Sequence, residues 1–254
     1  MPVLRLAMWS GPRNISTAMM RSWGNRADTV VVDEPFYAFY LGRTGKKHPM
    51  AEEVIAQGET DWRRVVTRLT TEMPESETSG SGRKDPSHIG VFYQKQMTHH
   101  LLPEVDQEWI GSLTNCFLIR DPAEVIASYL RKNEDPELED LGFIQQVKIF
   151  DQVRKSTGHV PPVVDAKDVL QNPERLLRLL CKAVGVEFDS AMLEWPPGLR
   201  ESDGVWAKHW YREVARSTCF QPYEEKKVGV PKHLGAVHDQ CHICYEQLYR
   251  ERIH

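Results

Sequence analysis

Two short segments concentrate residue types suited to gripping anions. The first is Trp9-Ser10-Gly11-Pro12-Arg13-Asn14-Ile15-Ser16-Thr17, where a glycine, a forked cation and two hydroxyls follow closely on one another. A loop running from a strand into a helix aims backbone N–H groups and the positive helix end at one point, which suits a phosphate. Arg13 adds a permanent charge with planar, forked donors, and Ser16 and Thr17 add hydroxyls. The spacing approaches a nucleotide-binding Gly-x-x-x-x-Gly-Lys-Ser/Thr loop without matching it. Ile15 and Ser16 stand where the second Gly and the Lys belong, so magnesium-dependent hydrolysis of ATP or GTP is disfavoured. The alternative is a capped turn with an exposed Arg. The second segment is Phe117-Leu118-Ile119-Arg120-Asp121-Pro122-Ala123-Glu124-Val125-Ile126-Ala127-Ser128-Tyr129. Arg120 falls at the carboxyl end of a strand, where open α/β sheets bind ligands. Ser128, about two turns along the following helix, could reach the same anion. The alternative makes Arg120 and Asp121 a local ion pair and Ser128 a helix-surface residue.

Both segments need a strand, a turn and a helix to carry them. Val3–Trp9 is an apolar run stopped by Ser10-Gly11-Pro12, and Ile15, Ala18, Met19 and Trp23 then recur at helical spacing. Further strands are expected at Thr29–Val32, ending at Asp33-Glu34-Pro35, at Ile89–Tyr93, at Thr114–Ile119 and at Val163–Val164. One helix is expected over Trp62–Met73, with Trp62, Val65, Val66, Leu69 and Met73 on one face. Others are expected from Pro122 with Asp121 as N-cap, over Glu139–Arg154, and from Pro173 to about Ala183, closed by Gly185. Glu75–Ser87 reads as an exposed, mobile loop. The tail beyond Leu199 is aromatic-rich and closes with an amphipathic stretch from about Cys241 to Ile253. Strands alternating with helices predict an α/β fold, a three-layer parallel sheet with helices on both faces, in a single domain over 1–254.

The 254 residues are 41% apolar and 27% charged, with 16 Gly and 16 Pro, which sets aside disorder, collagen and coiled coil. Lys and Arg total 32 against 36 acidic residues, a net charge of −4, so bulk charge advertises neither nucleic acid nor an anionic membrane. No apolar run approaches the roughly 18 residues that span a bilayer. Met1–Ser10 does not read as a signal peptide. Five cysteines, an odd number, fit reduced thiols better than a disulfide framework, so a cytoplasmic protein is expected. Monomer and homodimer both stay open.

In combination the segments resemble the sulfotransferases that use 3′-phosphoadenosine 5′-phosphosulfate (PAPS). Gly11-Pro12-Arg13-Asn14-Ile15-Ser16-Thr17 is similar to that family's 5′-phosphosulfate loop, commonly Pro-Arg/Lys-Ser-Gly-Ser/Thr-Thr, with Asn14-Ile15 in place of Ser-Gly. Arg120, Pro122 and Ser128 match its 3′-phosphate motif, an Arg-x-Pro with a Ser eight residues after the Arg. Val163-Val164-Asp165-Ala166-Lys167-Asp168-Val169-Leu170-Gln171-Asn172-Pro173-Glu174 is similar to the family's strand, Glu-Asp-Leu turn and Asp-Pro helix start, and Leu179–Phe188 extends it. The likeness covers residues 1–195; the Gly-rich adenine and phosphate segment of the cytosolic members has no counterpart in the divergent part, 196–254.

The resemblance implies a P-loop NTPase-like sulfotransferase fold. It implies sulfuryl transfer from PAPS to a hydroxyl or amine of a small-molecule acceptor, with 3′-phosphoadenosine 5′-phosphate (PAP) as product. No metal is required, and neither nucleic acid nor membrane is a partner. Residues Gly11 to Thr17, Arg13 foremost, would hold the 5′-phosphosulfate, and Arg120 and Ser128 the 3′-phosphate. Two places are offered for the general base. Glu34 is the first, since a Glu near this position is the base in many bacterial and Golgi-type relatives, and burial beside Phe36 and Tyr37 would lift its pKa toward neutrality. Lys95 with His99 or His100, in a segment just after the third strand, is the second; Lys95 could instead contact the sulfuryl group. Asp33 or Glu34 pairing with an Arg, and solvent-facing histidines, are the bland alternatives. The rival functions are a kinase, which magnesium dependence would reveal, and a nucleotide-binding relative without catalysis.

Phe36-Tyr37-Ala38-Phe39-Tyr40 is expected to contact the acceptor. In Val205-Trp206-Ala207-Lys208-His209-Trp210-Tyr211, one tryptophan is expected in the core and neither in the pocket. Cys241-His242-Ile243-Cys244, near His238 and Cys219, invites a zinc reading but lacks a second ligand pair, and Cys241, Cys244 and Leu248 read as one buried helix face.

Overall fold

Strand β1 (Leu4–Ser10) is apolar from Leu6 to Trp9, and consecutive side chains enter opposite cores, Leu6 and Met8 on one side, Ala7 and Trp9 on the other. Burial on both faces marks a central strand of a parallel sheet. The same alternation divides Val91 and Tyr93 from Phe92 in β5 (Val91–Met97), and Cys116 and Leu118 from Phe117 and Ile119 in β6 (Thr114–Ile119). A computed structural model describes residues 2–74, 78–79, 82–83, 88–131, 135–225 and 228–254. With β2 (Thr29–Asp33) and β7 (Val163–Asp165) the strands form one all-parallel sheet in the order β2-β5-β1-β6-β7. The short antiparallel pair β3 (Thr78–Ser79) and β4 (Gly82–Arg83) stands apart; the loop expected over Glu75–Ser87 otherwise lies outside the described residues.

One core is covered by α1 (Ser16–Gly24), α3 (Ala51–Gln57), α8 (Ala166–Gln171), α9 (Pro173–Val184) and the short α10 (Ala207–Trp210). The other is covered by α4 (Trp62–Thr70), α5 (Pro122–Leu130), α6 (Leu138–Leu141), α7 (Phe143–Thr157) and α11 (Gly235–Tyr249). Helix α2 (Tyr37–Thr44) serves both cores. The expected three layers are present. The chain crosses from β5 over β1 to β6, so the loops after β1 and β6 open side by side at the sheet's carboxyl edge.

Several boundaries differ from expectation; the closing helix, for one, begins at Gly235 and not near Cys241. The third large strand runs on to Met97, so Lys95 lies inside it and not after it. Gln94 and Gln96 look like loop residues but are buried, and Gln94 donates to the Leu69 carbonyl at 2.9 Å, the kind of partner that makes buried polar groups tolerable. Helix α4 stops at Thr70 and leaves Met73 59% exposed, off the buried face. The helix expected over Glu139–Arg154 breaks at Gly142, whose φ of +72° suits glycine; an added Cβ would lie 2.5 Å from Thr98 Oγ1.

Asp165 at the end of β7 is 2% exposed, caps α8 through Lys167 N at 2.8 Å and accepts from Tyr245 Oη at 3.0 Å. Burial raises its carboxyl to about 6 despite those hydrogen bonds. An acid raised above its usual 3.8 contributes stability that is complete below that value and lost as pH rises through about 6. Urea unfolding should show this group removing roughly 2–3 kcal/mol between about pH 4 and 7. Asp165→Asn should flatten that part of the curve, and an unchanged slope would contradict the assignment.

Candidate functional site

The loop after β1 is braced from three sides. Gly11 packs so closely on α6 that a Cβ would meet the Leu141 carbonyl at 2.5 Å. Gln146 of α7 donates to the Trp9 and Leu118 carbonyls, both at 3.0 Å, tying β1 to β6. Asn14 donates to the Leu118 carbonyl at 3.0 Å and accepts from Ile15 N at 2.8 Å. The left-handed residue is Arg13, with φ +57°, while Ile15 has φ −88°; glycine is therefore not required at position 15. Arg120 Nη1 donates to the Arg13 carbonyl at 2.9 Å and fixes that peptide.

This arrangement suits an oxyanion. No side chain caps α1, whereas Asp61, Asp121, Asp165 and Asn172 cap α4, α5, α8 and α9. The first-turn N–H groups of α1 and its dipole thus face a cleft that Pro12, Arg13, Ser16 and Thr17 line. Arg13 Nε donates to Ser128 Oγ at 3.1 Å. Burial lowers the Arg13 pKa and Glu213 raises it, while the neighbouring cations Arg131 and Arg120 lower it further. Arg120 pairs with Glu124 at 2.9 Å, not with Asp121, which caps α5 through Ala123 N and Glu124 N. Glu124 also accepts from Tyr223 Oη at 2.7 Å. Ser128 is buried, not on the helix surface.

The second cluster sits at the ends of β2 and β5. Lys95 Nζ, 1% exposed, lies 2.8 Å from Asp33 Oδ1, 2.5 Å from Glu34 Oε1 and 2.7 Å from Tyr211 Oη. Tyr211 Oη approaches both Asp33 oxygens, at 2.9 and 2.7 Å. Glu34 therefore pairs with a lysine and not an arginine. Its φ of +43° turns the chain out of the sheet; a left-handed residue other than glycine costs about 1–3 kcal/mol. Burial raises the Glu34 pKa, with Lys95 opposing and Asp33 adding to the rise. Burial acts to lower the Lys95 pKa, but the attraction of Asp33 and Glu34 prevails and holds it well above the ordinary value.

Between the clusters lies one cavity of about 590 Å³. Its far end is aromatic: His100 stacks on Tyr37 at 4.8 Å and 4° and on Tyr40 at 4.7 Å, and His99 meets Tyr40 edge-on at 5.4 Å. Burial lowers His99 to about 3 and His100 well below its usual value, so both imidazoles are neutral. They are buried, not solvent-facing. Tyr37 and Tyr40 line the cavity, whereas Phe36 and Phe39 turn into the second core. Trp206 is buried in the first core, as expected of one of the two. Both Trp206 and Trp210 also line the cavity, against the expectation, because Tyr211 after α10 ties this stretch to Asp33 of β2 and Lys95 of β5. Cys241 and Leu248 are buried and Cys244 half-buried; no group of three or more His, Cys, Asp or Glu among the described residues is arranged to hold a metal.

Every residue expected to hold the donor or act as base thus borders this cavity except Gly11, which packs against Leu141; of the expected acceptor contacts, Tyr37 and Tyr40 border it and Phe36, Ala38 and Phe39 do not. Sequence reasoning did not single out Arg131, Tyr211, Glu124 or His48, and Asp33 only as an ion-pair partner. The adjacency of Asp33 to Glu34 was the one available signal, since the others arrive by tertiary packing.

The sulfotransferase-domain family model matches residues 4–233. Branched-chain-amino-acid aminotransferase-like protein 1 of Arabidopsis thaliana is 34% identical over 212 residues, covering 84% of this chain and 36% of that protein. The chain therefore spans little more than a third of that relative's length. Among solved structures, the sulfotransferase domain of the Synechococcus PCC 7002 olefin synthase superposes with TM-score 0.59 at 15% identity, covering 96% of this chain and 95% of that one. The sulfotransferase domain from the curacin biosynthetic pathway gives 0.55 at 14% identity, with 98% of both chains covered. At such identities the likeness shows the fold, an α/β P-loop-like sulfotransferase fold.

Proposed function

Because the chain belongs to the sulfotransferase family, we propose that it moves a sulfuryl group from PAPS to a hydroxyl or amine of a small-molecule acceptor. The observation that carries this reading is the polarity of the cleft, which joins the uncapped α1 N-terminus and Arg13, Arg120 and Arg131 to the Glu34 carboxylate within one cavity. When bound, PAPS supplies an activated sulfuryl group whose in-line transfer depends on positioning and charge stabilisation. Arg13, Ser16, Thr17 and the α1 N-terminus hold the 5′-phosphosulfate, and Arg120 and Ser128 hold the 3′-phosphate. Glu34 takes the acceptor's proton as the new bond to sulfur forms. The bond from sulfur to the bridging oxygen breaks, and its electron pair leaves with the 5′-phosphate, toward Arg13. Lys95 stays ionised beside Glu34 throughout. His99 and His100 shape the acceptor end with Tyr37 and Tyr40, and they are the reserve candidates for the base.

The single-domain reading of 1–254 is supported by Tyr211, which reaches Asp33, and by α11, which packs on α5 and α7. No helix is long and apolar enough to cross a membrane among the described residues, and all five cysteines are free thiols, which supports the cytoplasm as the working location.

The decisive test is calorimetric titration with PAP beside ATP and magnesium. Preference for PAP is the expected result, and preference for ATP would make a kinase the working reading. PAP binding with no donor turnover by any acceptor would mark a non-catalytic relative. Arg13→Ala and Arg120→Ala should each weaken PAP by about 1.5–3 kcal/mol, the scale of a charge-assisted contact. Undiminished affinity in both would remove the two-site arrangement.

A further inference from the structure

The ammonium of Lys95 is shared by two carboxylates, so the buried cluster carries one negative charge more than it neutralises. Asp33 is 6% exposed overall, its side chain 1%, and it does not line the cavity, whereas Glu34 does. Asp33 is also held by Tyr211, which approaches both its oxygens, and by Gly204 N at 3.4 Å. Tyr211 is itself fixed by the Trp206 indole at 3.3 Å. The segment that delivers these groups is anchored on α1 by the buried pair of Arg21 and Asp203, bonded at 2.5 and 2.6 Å.

With a single carboxylate, the Lys95–Glu34 pair would be neutral and Glu34 a weak base. The second, inaccessible carboxylate changes that balance, because like charges in a dry site favour protonation of the one that can take a proton. Lys95 and Asp33 face Glu34 from β5 and β2, Tyr37 from α2, and Tyr211 from the segment after α10.

We propose that Asp33 is a positioning residue that tunes Glu34 as proton acceptor through their shared lysine, and that Tyr211, which lies beyond the motifs that carried the resemblance but within the 4–233 span of the family match, holds Asp33 in that role. The proposal rests on Glu34 being the base. In charge terms the cluster goes from −1 to neutral when Glu34 receives the acceptor's proton, so catalysis discharges a strained arrangement and does not create one. The residues from 200 to 211 then complete the chemistry as well as walling the cleft.

The test is titration of the side-chain carboxyl signals by carbon NMR in protein labelled at Glu and Asp, with the Glu34 signal assigned by its loss in Glu34→Gln. In Asp33→Asn, which keeps the shape of the cluster, the Glu34 midpoint should fall by about one pH unit or more. Tyr211→Phe should lower it by less, and the Tyr211→Phe effect should vanish when Asp33→Asn is already present. A Glu34 midpoint that does not move in Asp33→Asn overturns the proposal, as does an equal Tyr211→Phe effect in both backgrounds, which would mark a merely structural tyrosine. The acid limb of PAPS hydrolysis, with water as acceptor, should shift in the same direction. Full turnover by Glu34→Gln would refute the base assignment separately, since the NMR midpoints need no activity.

Discussion

Glu34→Gln is expected to lower turnover by roughly 10²- to 10⁴-fold, the usual contribution of a positioned base. PAP affinity should stay within about twofold of wild type, because the proposed contacts to both phosphates come from Arg13, Ser16, Thr17, Arg120 and Ser128 and none from Glu34. The substitution is nearly isosteric, and Lys95 keeps Asp33 and Tyr211 as partners, so folding should be little affected. The pH profile carries a sign. A base works only when ionised, and burial holds the Glu34 pKa above the ordinary carboxylate value, so the wild-type rate should rise with pH through a midpoint above that value. Steady-state rates and calorimetry on the same preparation check both halves. Retained turnover would pass the role of base to His99 or His100.

Lys95→Met should be the most destabilising of the substitutions considered. Breaking a buried ion pair by removing one partner costs about 3–5 kcal/mol, since the remaining charge is left without compensation. Here two carboxylates are stranded, Asp33 and Glu34, with Tyr211 and the longer Gly204 N contact left as donors to Asp33. At about 2–4 °C per kcal/mol for a chain of this size, the melting midpoint should fall by about 10 °C. The loss should depend on pH. Without the ammonium, Glu34 is raised further, and an acid raised in the folded state contributes stability at low pH that disappears as pH rises through its folded value. The variant should therefore lie closest to wild type in acid and furthest from it near neutrality. Thermal melts of wild type and variant across that range check this, and a constant difference would mean that packing, not charge, accounts for Lys95.

Much of the layout was legible before any coordinates. β6 occupies the span its apolar run indicated, and the Asp121-Pro122 and Asn172-Pro173 pairs start α5 and α9 where capping chemistry places them. The end of β5 does not show in the sequence because Gln94, Lys95 and Gln96 are polar, and burial is tolerable only through the partners that Gln94 and Lys95 find on other elements and Gln96 finds in Gln94. The break at Gly142 was invisible because its cause, the approach of Thr98, comes from the turn after β5, more than forty positions away.

For the site the division follows the range of the interactions. The sequence by itself determined the chemical types and the local frames: an Arg-bearing strand-to-helix loop at 11–17, an Arg and Ser eight apart at 120 and 128, and a carboxylate where β2 ends. These depend on contacts within a turn or two, which spacing records. Only the tertiary structure decided that Arg13 would be left-handed under the hand of Arg120, and that Lys95 would face two carboxylates. It also decided that a tyrosine at 211 would reach back 178 positions to Asp33. Partners so distant leave no periodicity in the chain; parallel strands and buried charge bring them together, because an unpaired ammonium or carboxylate in a dry interior costs more than the ordering needed to pair it.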